Sequence, residues 1–169
     1  MIDIEALGLV FDRTHGDVVY AASQVRKVKE HGIGSLTPDE VTEWFKGLKG
    51  RYTKTDLNRV ESAVQIIADN LFKYGYWAKV STRGWEYLDV PDDPEMARYC
   101  NNVWLIIQAY FVMLTSPALP DDMERLTFGG ANDVERILFD VASLFNNMLR
   151  TVDFAWTLGM AHTGIYGGY

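Results

Sequence analysis

The chain has a single cysteine and little histidine or proline, and each of these gaps narrows what it can be. With only Cys100 in 169 residues, an intrachain disulfide framework is excluded. His15, His31 and His162 stand far apart, without a second ligand three or four residues on, so no metal site is expected. The five prolines form no Pro/Ser-rich linker, which leaves nothing to divide residues 1–169 into two domains. Basic charge is short as well. Sixteen Lys and Arg against 23 Asp and Glu give a net charge of −7 with no basic stripe, which argues against a nucleic-acid partner. No apolar run approaches a membrane span, and residues 1–30 lack the charged start and apolar core of a signal peptide. There is no Ser-containing elbow, phosphate loop or paired helical Glu-x-x-His. Asp92-Asp93 and Asp121-Asp122 lack the alternating oxygen ligands of a calcium loop. The expectation is a soluble, acidic protein made in a reducing compartment. It should have no catalytic residues, no cofactor, no membrane contact and no small-molecule substrate.

What is present is helical periodicity. Val134, Ile137, Leu138, Val141, Leu144, Phe145 and Met148 recur at steps of three and four, the seam of a helix buried along one face over 127–149. Its opening, Asp133-Val134-Glu135-Arg136-Ile137, shares an acid–apolar–x–Arg–apolar pattern with Asp56-Leu57-Asn58-Arg59-Val60 and Glu95-Met96-Ala97-Arg98-Tyr99. The apolar positions continue in step: Val64, Ile67, Leu71 against Val103, Ile106, Tyr110 and Val141, Leu144, Met148. These are three long helices. Val103–Ile107 is apolar nearly all round, so the second is expected to be the most enclosed.

Two shorter helices precede them. Thr14 and Asp17 form a capping-box variant for a helix reaching about Glu30 and stopping at Gly32 and Gly34. Thr37, Pro38 and Glu40 open another, which ends near Gly47 or Gly50. Thr53 or Thr55, Asp93 and Thr127 are the expected caps of the long helices, with Pro94 at the first helical position. Gly129 and Gly130 make a poor first turn. Between residues 76 and 91, Tyr76, Ala78 and Val80 alternate and Thr82-Arg83-Gly84 suggests a turn, which fits a small hairpin or an irregular loop. Val152, Phe154, Trp156, Leu158 and Met160 alternate with polar or small residues and lead into GIYGGY, which reads as an extended tail. The predicted architecture is mainly α, with an N-terminal arm at 1–11, a helical bundle at 12–151 and the tail at 152–169.

The acid–Arg pairs that open the long helices, Asp56/Arg59, Glu95/Arg98 and Asp133/Arg136, read as structural ion pairs. An arginine cluster gripping an anion would require all three helix starts at one end. Asn58, Asn101, Asn102, Asn132, Asn146 and Asn147 are frequent for helices, either buried to fix register or exposed. Cys100, beside a seam, reads as a small core residue. The apolar arm packs on its own bundle or on a neighbour. The tail pairs with 1–11, with the 76–88 hairpin or with a neighbouring subunit.

Four stretches carry a resemblance: FDRTHGDV at 11–18, GLKGRYTKTDLNRVESAV at 47–64, WEYLDVPDDPEMARYCNNV at 85–103 and LPDDMERLTFGGANDVERIL at 119–138. In these the chain resembles virion or tail-associated proteins encoded in structural-gene regions of phages and prophages of gut-type Gram-positive bacteria. Two departures stand out: Gly129-Gly130 where that pattern has an acid, and GIYGGY where it has an acidic tail. The resemblance implies a non-enzymatic structural protein, made in the bacterial host cytoplasm and located in the virion. It would dock onto other tail, baseplate or neck proteins or copies of itself. The expected contact residues are Ile2, Ile4, Trp156, Leu158, Ile165, Tyr166 and Tyr169. The alternative is a host-surface module stacking Trp77, Trp85 and Tyr87 on sugars.

Overall fold

The structure is a computed structural model that describes residues 1–121 and 126–163, with side chains described as far as Thr157. It is mainly helical, with no strand among the described residues. The helices are α1 (His15–His31), α2 (Pro38–Lys46), α3 (Lys54–Lys73), α4 (Asp93–Ala109) and α5 (Phe128–Thr163), with a 3₁₀ turn at Ile33–Ser35.

Local chemistry sets the helix starts. Thr14 with Asp17 and Thr37 with Glu40 close reciprocal capping boxes on α1 and α2, and Gly32 ends α1 at positive φ. Thr53 and Asp56 close a third box on α3. Asp92, one residue before the expected cap, accepts from the Glu95 N–H, which places Pro94 second in α4. The Thr127 hydroxyl accepts from the Gly130 N–H at the start of α5. Gly130 is there because a Cβ would press on Pro120 and Leu126, 3.1 and 3.2 Å away, so close chain approach outweighs helix propensity. At 17 residues α1 is as long as α4, so it is not one of two short helices.

The core lies among α3, α4 and α5, which all run in the same direction. Arg59 meets Glu135 near the start of α3 and α5, and Tyr74 meets Phe145 where α3 ends. Glu61 meets Arg98 near the start of α4, and Tyr76 meets Tyr110 at its end. Parallel helices need long return paths, and the segments that follow α3 and α4 supply them. Residues 76–91 pass from the Tyr110 end back to Asn58, while the N-terminal residues 1–13 run alongside α5 from Asn146 to Asn132. Residues 110–121 return past Asp140 toward Gly130. α5, not α4, is the enclosed helix: Val134, Ile137, Leu138, Val141, Ala142 and Phe145 are fully buried, whereas Trp104 of α4 is 48% exposed. α1 and α2 form a side hairpin bridged by Tyr20–Glu43 and Lys27–Glu40. It meets the body through Gly50, whose missing Cβ makes room for the Asp17 carbonyl.

The helices share a repeated register that the sequence pattern misplaces in α5. α4 aligns with α3 as predicted, Val103, Ile106 and Tyr110 matching Val64, Ile67 and Leu71 in burial. In α5 the equivalents of Val64, Ile67 and Leu71 are Leu138, Val141 and Phe145, nearly one turn earlier than the acid–Arg spacing suggests. The better landmark is the shared Asn-x-Val-Glu of Asn58–Glu61 and Asn132–Glu135, each following a capping threonine (Thr53, Thr127) at the same distance.

Candidate functional site

Two features stand out beyond ordinary packing: the polar system that straps extended chain to the parallel helices, and the uncovered end of α5.

The strap works through four asparagines, each gripping one residue of extended backbone by both its N–H and its C=O. Asn146 accepts from the Ile2 N–H and donates to the Ile2 carbonyl, both at 2.8 Å. Asn132 does the same to Arg13 at 3.1 and 2.9 Å. Asn58 holds Trp85 at 2.7 and 2.9 Å, and Asn102 holds Ser81 at 2.9 Å in both bonds. An asparagine amide presents one acceptor and one donor side by side, as a peptide does in an antiparallel hydrogen-bonded pair. The side chains therefore supply what a neighbouring strand would, and extended segments are buried without a sheet. This explains why Tyr76, Ala78 and Val80 alternate inward with no hairpin formed.

Between the arm, α3 and α5 lies a cluster of four charges. The Glu135 carboxylate is fully buried and accepts from Arg13 Nη2 at 2.7 Å and from Arg59 Nε and Nη2 at 2.9 and 2.8 Å. The Val10 N–H also donates to it, at 2.6 Å. Asp56 accepts from Arg13 at 2.9 Å and Arg59 at 2.6 Å. Burial alone would raise the Asp56 pKa, but the Arg59 hydrogen bond and the Thr53 N–H outweigh it and hold the carboxyl below its ordinary value. Tyr52 lies over the Arg13 guanidinium and shares a 2.5 Å hydrogen bond with buried Tyr99. Burial pushes both phenols upward. Two cations and two anions cancel, so the cluster is a charge-balanced structural network, with Arg13 Nε the one buried side-chain atom among its described residues left without a hydrogen-bond partner.

The expected acid–Arg pairs are rearranged accordingly. The three helix starts do share one end, yet their arginines are matched by carboxylates and offer no anion cradle. Only Asp56 and Arg59 meet as their spacing within one helix predicts. Arg98 reaches Glu61 of α3 at 2.6 Å, Glu95 pairs with Arg83 of the return segment, and Arg136 turns to Asp140 instead of Asp133. Parallel packing brings acids of one helix opposite arginines of another, which spacing within a helix does not reveal. Cys100 is half-buried and burial raises its thiol pKa, which disfavours the thiolate. No group of His, Cys, Asp and Glu among the described residues is arranged to hold a metal ion, and no described helix is long and apolar enough to cross a membrane.

Among the expected contact residues, Ile2 is instead 4% exposed in the chain's own core, and Ile4 packs against that core. Burial strips water from the arm's backbone, and Asn146 and Glu135 supply hydrogen bonds in its place. Trp156 is the opposite case. It lies in a helix, not an extended tail, and is 73% exposed, with Val152 at 57% and Phe154 at 65%. Leu158 falls in the same helix, its side chain outside the described part, and Ile165, Tyr166 and Tyr169 lie outside the described residues. The aromatic set proposed for sugars is dispersed. Trp85 is 3% exposed beneath Arg83 and Arg98. Trp77 packs on Phe72 at the end of α3 and Tyr87 sits by Lys54 at its start, about 27 Å apart along the helix.

No protein-family model matches the chain, and comparison with curated proteins and with solved structures found no significant match.

Proposed function

We propose that the chain is a non-enzymatic structural subunit of a phage virion, a tail, baseplate or neck component that works through protein–protein contacts at the end of α5. One observation carries this reading. α5 is buried on one face through Leu149 and then continues as a helix whose residues 150–157 are all exposed, large apolar side chains included. The apolar surface of this stretch gains by being covered. The resemblance in the sequence supplies the setting. The polar chemistry supports a structural role too, since its buried carboxylates are spent on arginines and backbone N–H groups.

Mass spectrometry of purified particles from the encoding strain tests the setting. The chain should be present in fixed, multiple copies per particle, and recovery only from the particle-free lysate overturns the reading. Trp156→Glu should leave the fold intact and lower incorporation.

A further inference from the structure

At the start of α3 three segments line a cleft of about 620 Å³, a volume ordinary for a small-molecule site. Trp44 and Phe45 come from the last turn of α2, Arg51 and Lys54 from the start of α3, and Glu86, Tyr87 and Asp89 from a turn of the return segment. Phe45 is 75% exposed and Tyr87 84%, and Trp44 is half-buried. Aromatic rings supply large, rigid contact area, and here three of them border one space. The polar groups are of both kinds. The Arg51 guanidinium and the Glu86 carboxylate make no hydrogen bond or ion pair among the described residues, whereas Asp89 is spent on Arg83 and on the Glu86 N–H.

We propose that this cleft binds a neutral sugar. Charge decides the class of ligand. The lining carries Arg51 and Lys54 against Glu86 and Asp89, so it favours neither sign. A quaternary ammonium, which an aromatic cage would otherwise suit, meets Lys54 already in place, 5.5 Å from the centre of the Tyr87 ring. An anion meets Glu86 and Asp89 on a chain of net charge −7. What fits is a neutral molecule with an apolar face and an edge of groups that both donate and accept. A sugar ring is built that way: its C–H face stacks on aromatic rings, and its hydroxyls accept from Arg51 and Lys54 and donate to Glu86. The cleft lies at the starts of the parallel helices, and α5 leaves the body at their other end. A sugar and a protein partner can therefore be held at once.

An array of neutral and charged glycans probed with the full chain tests it, followed by calorimetric titration with the neutral oligosaccharide that binds best. Choline and a proline-rich peptide serve as competing probes, since both also seek aromatic surfaces. Neutral glycans should bind, and about 0.5 M sodium chloride should leave the affinity within about twofold, because no ion pair forms. Phe45→Ala and Tyr87→Ala should each weaken binding about tenfold. Their thermal melts should match the wild type, because both side chains are exposed. In NMR the indole N–H signal of Trp44 should shift on titration while that of Trp156 stays. An array without a bound neutral glycan, binding only of charged glycans, choline or the peptide, or an affinity indifferent to both substitutions overturns the proposal.

Discussion

Glu135 shows how much one side chain can organise. It ties the N-terminal arm, α3 and α5 together through Val10, Arg13 and Arg59. Taking four charges out of water is costly, so the network adds less to net stability than its bond count suggests. Its value lies in register, because the two arginines and two carboxylates meet only when the three segments are placed together. Glu135→Gln keeps the shape and leaves buried Arg13 and half-buried Arg59 with one carboxylate. Urea denaturation should show a loss of about 3–5 kcal/mol. Glu40 makes a pH prediction. The Lys27 ammonium, the Thr37 N–H and Gln24 together lower its pKa to about 2. A depressed carboxylate favours the fold above its ordinary value of 4.5, and that contribution disappears as pH falls toward 2. Carboxyl NMR should place the Glu40 midpoint near 2 and show α2 loosening from α1 through that range; a midpoint near 4.5 would remove the Lys27 bridge.

At the scale of elements, asparagine does the work of strands. The abundance of Asn is plain in the sequence, but its role needs the partner backbone, which for Asn146 lies at the other end of the chain. Asn146→Ala leaves the buried N–H and C=O of Ile2 without partners, at a cost of about 1–3 kcal/mol each. Hydrogen exchange should then rise in residues 1–10 far more than in α3, and a uniform rise would mean that the arm is not a separate unit. The end of α5 teaches the converse lesson. Its alternation of apolar residues looks like a strand, yet a strand needs a partner edge for its backbone. A helix already nucleated over residues 128–149 extends with one internal bond per residue. Val152 and Trp156, four apart, fit that helix equally well. Thr14, Thr37 and Thr127 were legible as caps because the bonds that define a cap span three residues.

At the scale of the molecule, three helices side by side and co-directional require long returns, and the chain spends residues 76–91 and 110–121 on them. The sequence pattern favours no direction, because a seam reads the same in an up-down bundle and in a parallel one. The body is therefore closed without the end of α5. Truncation after Leu149 should leave the thermal midpoint within a few degrees of the full chain and abolish incorporation into particles. Loss of folding on truncation would place residues 150–163 in the core and end the assembly reading.

Helical class, most helix starts, the buried faces of α3, α4 and α5 and the shared register of α3 and α4 follow from residues close together in the chain, since caps and seams are short-range physics. The common direction of the helices, the docking of Ile2 and Ile4 at home, the pairing of Arg98 with Glu61 and the precedence of α5 over α4 were decided by tertiary packing. Each depends on which distant backbone or charge arrives opposite, and no local pattern holds that information.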